Sequence, residues 1–261
     1  MPDLPDRPLR RTRLAAADLA AEWRAHAGEF IAWARAPGHD SYWRFHRDLF
    51  FELLPPPGRR TLDLGCGEGR VARDLIAAGH SVAGVDAAPA MVEAARNADP
   101  GFDVHLADAA ALPFDDGAFD LVVAFMSLQD VDDMEGAVRE SARVLEPGGR
   151  LCLAIVHPIN SAGRFDGGAG DSPFVIDASY LERSYHADEI ARDGLGITFV
   201  SEHRPLESYT EALTDAGLLI ERLREPPMPE EAVASARNRR WARLPLFLHV
   251  RAVKRNVGDG P

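Results

Sequence analysis

Between residues 60 and 156, short runs rich in Val, Leu and Ile alternate with stretches of helical periodicity. The runs predict strands covered on both faces, and the stretches between them predict helices that cross from one strand to the next. This alternation builds βαβ units, so the chain is expected to form a doubly wound α/β sheet. The predicted strands are 60–64, 81–86, 103–108, 119–125 and 150–156, and the helices are 69–79, 88–97 and 134–145.

The segments before residue 60 and after residue 156 have different sequence patterns. Residues 14–35 and 41–54 have helical periodicity, and the Arg- and Pro-containing residues before them predict a flexible start. Beyond Val156, the sequence becomes rich in Gly, Ser and aromatic residues, and "ARDG" at 191–194 predicts a hairpin turn. A helix at 206–217 and strands at 218–225 and 244–254 complete the pattern.

Charge and composition exclude several functions. The 261 residues include 29 basic and 41 acidic side chains, and the net charge of −12 argues against a nucleic-acid partner. No apolar run has the length of a membrane span and no signal peptide is recognisable, so we expect no membrane partner and a cytoplasmic location. Cys66 and Cys152 show no metal-ligand spacing, and we predict no metal site.

The first strand ends in a glycine turn. In "TLDLGCGEGR" at 61–70, Gly65, Gly67 and Gly69 precede a predicted helix, which is the arrangement that lets a nucleoside ligand lie against the backbone. The spacing is GxGxG, whereas a pyrophosphate site has GxGxxG. Asp63 and Glu68 would repel a pyrophosphate, so the turn favours a ligand that carries a cation.

These segments together resemble the class I S-adenosylmethionine-dependent methyltransferases over about residues 60–155. "TLDLGCGEGR" is similar to the first signature of the family, and "VAGVD" at 82–86 is similar to the second-strand signature. "APAMVEAAR", "ADAAALPFDDGAFDLVVAFMSLQDV" at 107–131 and "VLEPGGRL" at 144–151 are similar to later segments. The metabolite-modifying branch is the most similar. The expected fold is therefore a mostly parallel, seven-stranded, Rossmann-like sheet with N-terminal helices and a cap inserted after the fifth strand.

The resemblance implies S-adenosylmethionine as cofactor, with S-adenosylhomocysteine as product, and it implies roles for individual residues. Asp86 would hold the ribose hydroxyls, Met91 would lie against the adenine, and Asp108 would accept from the adenine amino group near the Ala109 N–H. The glycines would border the methionine moiety, and Asp63 would attract the sulfonium or hold the loop. The full predicted cofactor site is Asp63, Gly65, Cys66, Gly67, Gly69, Asp86, Ala87, Met91, Asp108, Ala109 and Phe125.

Each of these residues also has an ordinary structural interpretation. A GxGxG turn alone is a weak signal, Asp86 could cap the helix that follows, Asp108 could be a turn residue and Met91 could belong to the core. Their joint occurrence at the spacings of the family favours cofactor binding.

With that cofactor site, we divide the chain into an N-terminal helical segment at 1–58 and a cofactor-binding half of the sheet at 59–156. A cap or lid follows at 157–205, and residues 206–261 supply the last helix and strands of the same domain.

The methyl acceptor is expected at the carboxyl ends of the strands, beside the cap. We predict a small-molecule acceptor contacted by Tyr42, Gln129, Asn160 and Arg164, with His157 as the catalytic base for a hydroxyl acceptor. A structural role for His157 is the alternative, and an amine acceptor would need no base. The predicted function is methyl transfer to a hydroxyl or amine of a small metabolite by a monomer or homodimer. The alternatives are a C-methyltransferase and a non-catalytic S-adenosylmethionine-binding protein.

Overall fold

A computed structural model describes residues 10–235 and 238–255, and two sets of elements define the architecture. The strands are β1 (Arg10–Leu14), β2 (Thr61–Leu64), β3 (Val82–Asp86), β4 (Asp103–Leu106), β5 (Phe119–Phe125), β6 (Leu145–Val156), β7 (Gly163–Phe165), β8 (Phe174–Ile176), β9 (Ser184–Arg192), β10 (Leu195–His203), β11 (Leu218–Arg224) and β12 (Phe247–Lys254). The α-helices are α1 (Leu19–Arg35), α2 (Arg47–Phe51), α3 (Arg70–Ala77), α4 (Pro89–Ala98), α5 (Met134–Val144), α6 (Pro158–Ser161), α7 (Leu206–Asp215) and α8 (Glu230–Val233).

The main sheet has seven strands in the order β11-β12-β6-β5-β2-β3-β4. Its strands run parallel except for β12, which is antiparallel to both of its neighbours. The order of the strands reverses between β2 and β5, and this is the place where an open α/β sheet forms a crevice for a ligand. The predicted doubly wound, mostly parallel, seven-stranded fold is confirmed.

Apolar side chains cover both faces of this sheet. On one face, residues of β2, β5 and β6 pack against α5 and α7, with Met134, Val138 and Leu213 almost completely buried. On the other face, Val71 and Leu75 of α3 and Phe50 of α2 pack against β5 and β6. Burial on both faces explains why these strands read as continuous apolar runs.

The predicted flexible start is wrong for the part of it that the structure describes. Residues Arg10–Leu14 form β1, which pairs with β9 in the three-stranded antiparallel sheet β1-β9-β10. The predicted helix at 14–35 therefore begins only at Leu19, where Asp18 caps it by accepting from the Ala21 N–H at 2.8 Å. Residues 1–9 of the predicted start lie outside the described residues.

Two further segments depart in detail from the prediction. The stretch expected as a helix at 41–54 begins with a π-helical turn, Tyr42–His46, and continues as α2. Strand β6 begins at Leu145, five residues before the predicted start, because Leu145 already pairs with Phe119 of β5; a register shift separates this pair from the pair Leu121–Arg150.

The hairpin predicted from "ARDG" is confirmed. Strands β9 and β10 pair antiparallel with Arg192 opposite Leu195, and the two residues between them, Asp193 and Gly194, have φ values of 50° and 80°. Two consecutive positive φ values match the twist of the flanking strands.

Strand β10 packs on α1, so the hairpin and the N-terminal helix together form a wall above the sheet. Among residues 10–235 and 238–255, none of the helices combines the length and the apolar character needed to cross a bilayer.

Candidate active site

A cavity of about 840 Å³ lies at the carboxyl ends of the central strands. Its floor comes from the turn after β2, the ends of β3 and β5, and the residues that follow β4. Helix α1, the π-helical turn and the β9–β10 hairpin form the opposite walls. Its size and its enclosure by aromatic side chains suit a small organic ligand. The aromatic residues of the described lining include Trp23, Phe30, Trp33, Phe45, Phe125, Phe199, Tyr209, Trp241 and Phe247.

The glycine turn depends on backbone angles that other residues rarely adopt. Gly65 and Gly67 have φ values of 70° and 56°, in the left-handed region. A Cβ placed on Gly65 would also lie 2.5 Å from the Cβ of Ser127. Gly65 therefore lets the segment after β5 approach the turn after β2, and both Gly65 and Ser127 line the cavity.

Asp86 closes the turn from the neighbouring strand. Its Oδ2 accepts from the Gly67 N–H at 2.8 Å, and its Oδ1 accepts from the Ala88 N–H at 2.9 Å. Helix α4 has Ala88 as its N-cap and no side-chain cap bond, so Asp86 does not cap the helix; its side chain holds the turn before the helix and lines the cavity. Burial raises the pKa of Asp86, and the backbone N–H donors oppose that shift. Each carboxylate oxygen keeps acceptor capacity for a ligand, because a carboxylate has about four lone-pair sites.

Asp63 lies beneath the turn and is only 1% exposed. Burial raises its pKa to about 7, while the Arg70 guanidinium opposes this shift and Asp86 adds to it. Arg70 in turn pairs with the buried Asp40 at 2.6 Å. Asp63, Cys66 and Gly69 are absent from the described lining of the cavity, so the structure places them behind the turn.

The wall formed after β3 and β4 contains Ala87, Met91, Asp108 and Ala109. Met91 is 2% exposed and packs in one cluster with Phe30 and Trp33 of α1, so it belongs both to the core and to the cavity lining. Asp108 Oδ1 accepts from the Ala110 N–H at 2.9 Å, which is the predicted turn role, and its side chain remains available to the cavity.

Of the four predicted acceptor residues, two line the cavity. These are Gln129 and Asn160, and Phe125, which was assigned to the cofactor, lines it as well. Tyr42 and Arg164 do not belong to the described lining. The Tyr42 hydroxyl donates to Asp74 Oδ2 at 2.7 Å in the core beneath the π-helical turn. Arg164 is 59% exposed and pairs with Asp177 at 3.0 Å.

His157 lies at the end of β6 but outside the described lining of the cavity. Its Nδ1 accepts from the Ile159 N–H at 3.0 Å and caps α6, and its Nε2 lies 2.9 Å from Glu225 Oε1. Burial lowers the pKa of His157, while Glu225 opposes this shift. Both ring nitrogens are therefore engaged in contacts within the protein.

Several lining residues were not predicted as site residues. Asp130 follows β5, Ser201 lies on β10, and Arg204 follows β10. The apolar stripe of α1 contained a signal for Trp23, Phe30 and Trp33, but a stripe of this kind is ordinarily interpreted as core. Ser201 had no local signal, because the hairpin meets the sheet only through long-range packing.

Comparison with known proteins agrees with this geometry. Residues 62–153 match the family described as a methyltransferase domain. An uncharacterized methyltransferase of Mycobacterium tuberculosis is 42% identical over 101 residues, which are 39% of this chain and 41% of that protein. The 27-O-demethylrifamycin SV methyltransferase of Amycolatopsis mediterranei is 33% identical over 179 residues, which are 66% of this chain and 58% of that protein. The matches thus span less than two thirds of these relatives.

The fold has solved counterparts. The crystal structure of an S-adenosylmethionine-dependent methyltransferase from Mesorhizobium loti is similar with a TM-score of 0.65 and 28% identity, covering 82% of this chain and 98% of that one. The strand order, the glycine turn at the sheet's switch point and the matched segment agree with one another. Residues 62–153 therefore form a methyltransferase domain, and the similarity of the fold to an S-adenosylmethionine-dependent methyltransferase supports S-adenosylmethionine as its cofactor.

Proposed function

We propose that this protein transfers the methyl group of S-adenosylmethionine to a hydroxyl or amine of a small organic acceptor inside the 840 Å³ cavity. The observation that carries the proposal is the composition of the cavity. One wall consists of residues of the matched methyltransferase segment, 62–153, and the opposite walls come from α1 and the β9–β10 hairpin, outside that segment. We infer that the first wall binds the cofactor and that the others select the acceptor.

In this proposal, Asp86 accepts from the ribose hydroxyls, and Met91, Asp108 and Ala109 surround the adenine. The Gly65–Gly67 backbone borders the methionine moiety. Asp63, Cys66 and Gly69 act from behind by holding the turn in shape. When bound, the cofactor supplies an electrophilic methyl group. The chain contributes alignment of the acceptor and exclusion of water, which lower the barrier by several kcal/mol.

The acceptor half of the cavity supports a small molecule. It is enclosed by aromatic residues, among them Trp23, Phe199 and Phe247, with polar atoms of Gln129 and Asn160 beside them. A relative named for 27-O-demethylrifamycin SV favours an oxygen acceptor. We give His157 a structural role, because proton transfer would require it to leave either Glu225 or the α6 cap. The acidic net charge of −12 favours a small molecule over a nucleic acid, and a monomer or homodimer remains our prediction.

Calorimetry with S-adenosylhomocysteine tests the cofactor half. Asp86→Ala should weaken binding by about 1–3 kcal/mol, since it removes charge-assisted hydrogen bonds. Asp103→Ala is the matched control, because Asp103 begins the neighbouring strand β4 at the opposite end of the sheet and is exposed. Unchanged affinity in a folded Asp86→Ala protein would contradict the assignment.

Methyl transfer is tested by incubating the protein with methyl-labelled S-adenosylmethionine and fractionated metabolite extracts. We expect the label in a small organic product, and we expect Asp86→Ala to reduce its yield. Binding of S-adenosylhomocysteine without label transfer to any fraction would instead favour a non-catalytic binding protein, and a label on carbon would favour the C-methyltransferase.

A further inference from the structure

The acidic residues that line the cavity differ in their ion-pair and hydrogen-bond partners. Four are paired with arginines: Asp40 with Arg70, Asp188 with Arg11, Glu202 with Arg183 and Arg204, and Asp133 with Arg139. The others accept from backbone N–H groups, with one exception. Asp86, Asp108 and Asp132 belong to that backbone-bound set.

Asp130 is the exception among the described lining acids. Its Oδ1 accepts from the Ser201 hydroxyl at 2.6 Å, and its Oδ2 accepts from the Gln129 amide at 3.1 Å. Both partners are neutral side chains. A carboxylate in such surroundings is a better proton acceptor than one neutralised by an arginine.

The position of Asp130 places it beside the glycine turn. Its N–H donates to the Ser127 carbonyl at 2.9 Å, and Ser127 packs against Gly65. Strand β5 neighbours β2 in the sheet, so the segment after β5 stands next to the proposed methionine end of the cofactor. Ser201 reaches Asp130 from the hairpin, on the opposite wall. Asp130 is therefore located between the two halves of the cavity.

Gln129 supplies a second acceptor atom. Its Nε2 donates to the Met126 carbonyl at 2.7 Å, which turns the amide in one direction. Its Oε1 is buried and has no hydrogen-bond partner within residues 10–235 and 238–255. A buried acceptor without a donor is unfavourable, so a ligand that donates a hydrogen bond here would be favoured.

Charged and titratable groups face Asp130 from several described elements. Burial raises its pKa to about 7, while the hydrogen bonds from Ser201 and Gln129 and the charge of Arg204 oppose this shift. Arg204 is itself bonded to Glu202 and to the carbonyls of Leu128 and Val131. The remaining titratable groups here are Tyr209, which faces Asp130 from α7, and the neighbouring lining acids Asp132 and Asp133.

We propose that Asp130 is the general base of the methyl transfer and that Gln129 Oε1 orients the acceptor, so that the site takes a nucleophile bearing an O–H or N–H proton. This inference rests on the proposed function. The acceptor's oxygen or nitrogen forms the new bond to the methyl carbon as the sulfur–methyl bond breaks. The electron pair of that bond stays on sulfur, giving the neutral thioether, and the acceptor's proton passes to an Asp130 carboxylate oxygen.

Carboxyl ¹³C NMR titration of the S-adenosylhomocysteine complex tests the base without an acceptor. One resonance, identified by its loss in Asp130→Asn, should titrate near neutrality, between about pH 6 and 8, where a base is most effective. Ser201→Ala should move that midpoint upward, because it removes a hydrogen bond to the charged form. A midpoint near pH 4, or one insensitive to Ser201→Ala, would overturn the proposal.

Turnover supplies the second readout, with methyl-labelled S-adenosylmethionine and a panel of simple phenols and primary amines as probe acceptors. Asp130→Asn should lower kcat by about 10²–10⁴-fold with unchanged S-adenosylmethionine affinity. The control is Asp116→Asn, an exposed aspartate paired with Arg143. Full kcat in Asp130→Asn would remove it from the mechanism. Failure to bind S-adenosylhomocysteine would refute the proposed function, whereas binding with a low Asp130 midpoint would refute only this inference.

Discussion

Replacing Gly65 by alanine tests the physical basis of the glycine turn. The alanine would have to adopt a left-handed backbone conformation with φ at 70°, which costs about 1–2 kcal/mol. It would also lie 2.5 Å from the Ser127 Cβ, and the displacement needed to relieve this contact costs about 1–3 kcal/mol more. The expected loss in the free energy of unfolding is therefore about 2–5 kcal/mol.

Gly217→Ala separates the two contributions. Gly217 has a φ of 73°, but no described atom lies within 4 Å of a Cβ placed there. This variant should lose only the backbone part, about 1–2 kcal/mol. Urea unfolding followed by circular dichroism measures both variants, with the midpoints compared at equal m values.

The difference between the two alanine variants is the decisive quantity. In the double variant Gly65→Ala/Ser127→Gly, the contact should be relieved and part of the stability recovered, although Ser127→Gly alone loses the hydroxyl bond to the Leu64 carbonyl. If Gly65→Ala and Gly217→Ala destabilise equally, the close approach of the two segments does not determine the identity of residue 65.

Three further predictions concern groups outside the turn. Burial lowers the pKa of His249 to about 4, so below pH 6.5 the histidine takes up a proton more readily in the unfolded chain than in the folded one. The free energy of unfolding should therefore fall by about 3 kcal/mol between pH 7 and pH 4. Urea midpoints measured over this range should fall less steeply in His249→Phe. Asp40→Asn leaves the Arg70 charge buried without its partner and should cost about 3–5 kcal/mol in chemical unfolding, and Asp40→Asn/Arg70→Met should recover part of this loss. Arg11→Ala removes the bidentate pair with Asp188 and should increase amide hydrogen exchange in β1 while exchange in β2 stays unchanged.

The alternating pattern between residues 60 and 156 was sufficient to predict the central fold. Each predicted strand and helix there occurs within a few residues of its expected bounds, apart from the early start of β6. The pattern is informative because a strand buried on both faces has to be apolar throughout, and a helix on its surface has to be amphipathic. The hairpin turn at "ARDG" could also be predicted from consecutive residues, since a short hairpin depends on residues that accept positive φ.

Strand β1 could not be predicted from local sequence patterns. Its sequence, "RRTRL", has no apolar alternation, and it pairs with β9, which lies more than 170 residues later in the chain. What holds it are backbone pairing and the Arg11–Asp188 contact, and neither leaves a periodic signal in the sequence. The N-terminal segment therefore appeared flexible when only local chemistry was considered.

The candidate site shows the same division. The sequence by itself determined the glycine turn and the acids at the strand ends, because those residues follow from the backbone conformation and charge of consecutive positions. Only the tertiary structure decided that Tyr42, His157 and Arg164 lie outside the described cavity lining and that Asp130 meets Ser201 within it. Which partner a polar side chain bonds depends on how segments that are distant in the sequence pack together. These partners are therefore fixed only when the whole chain has folded.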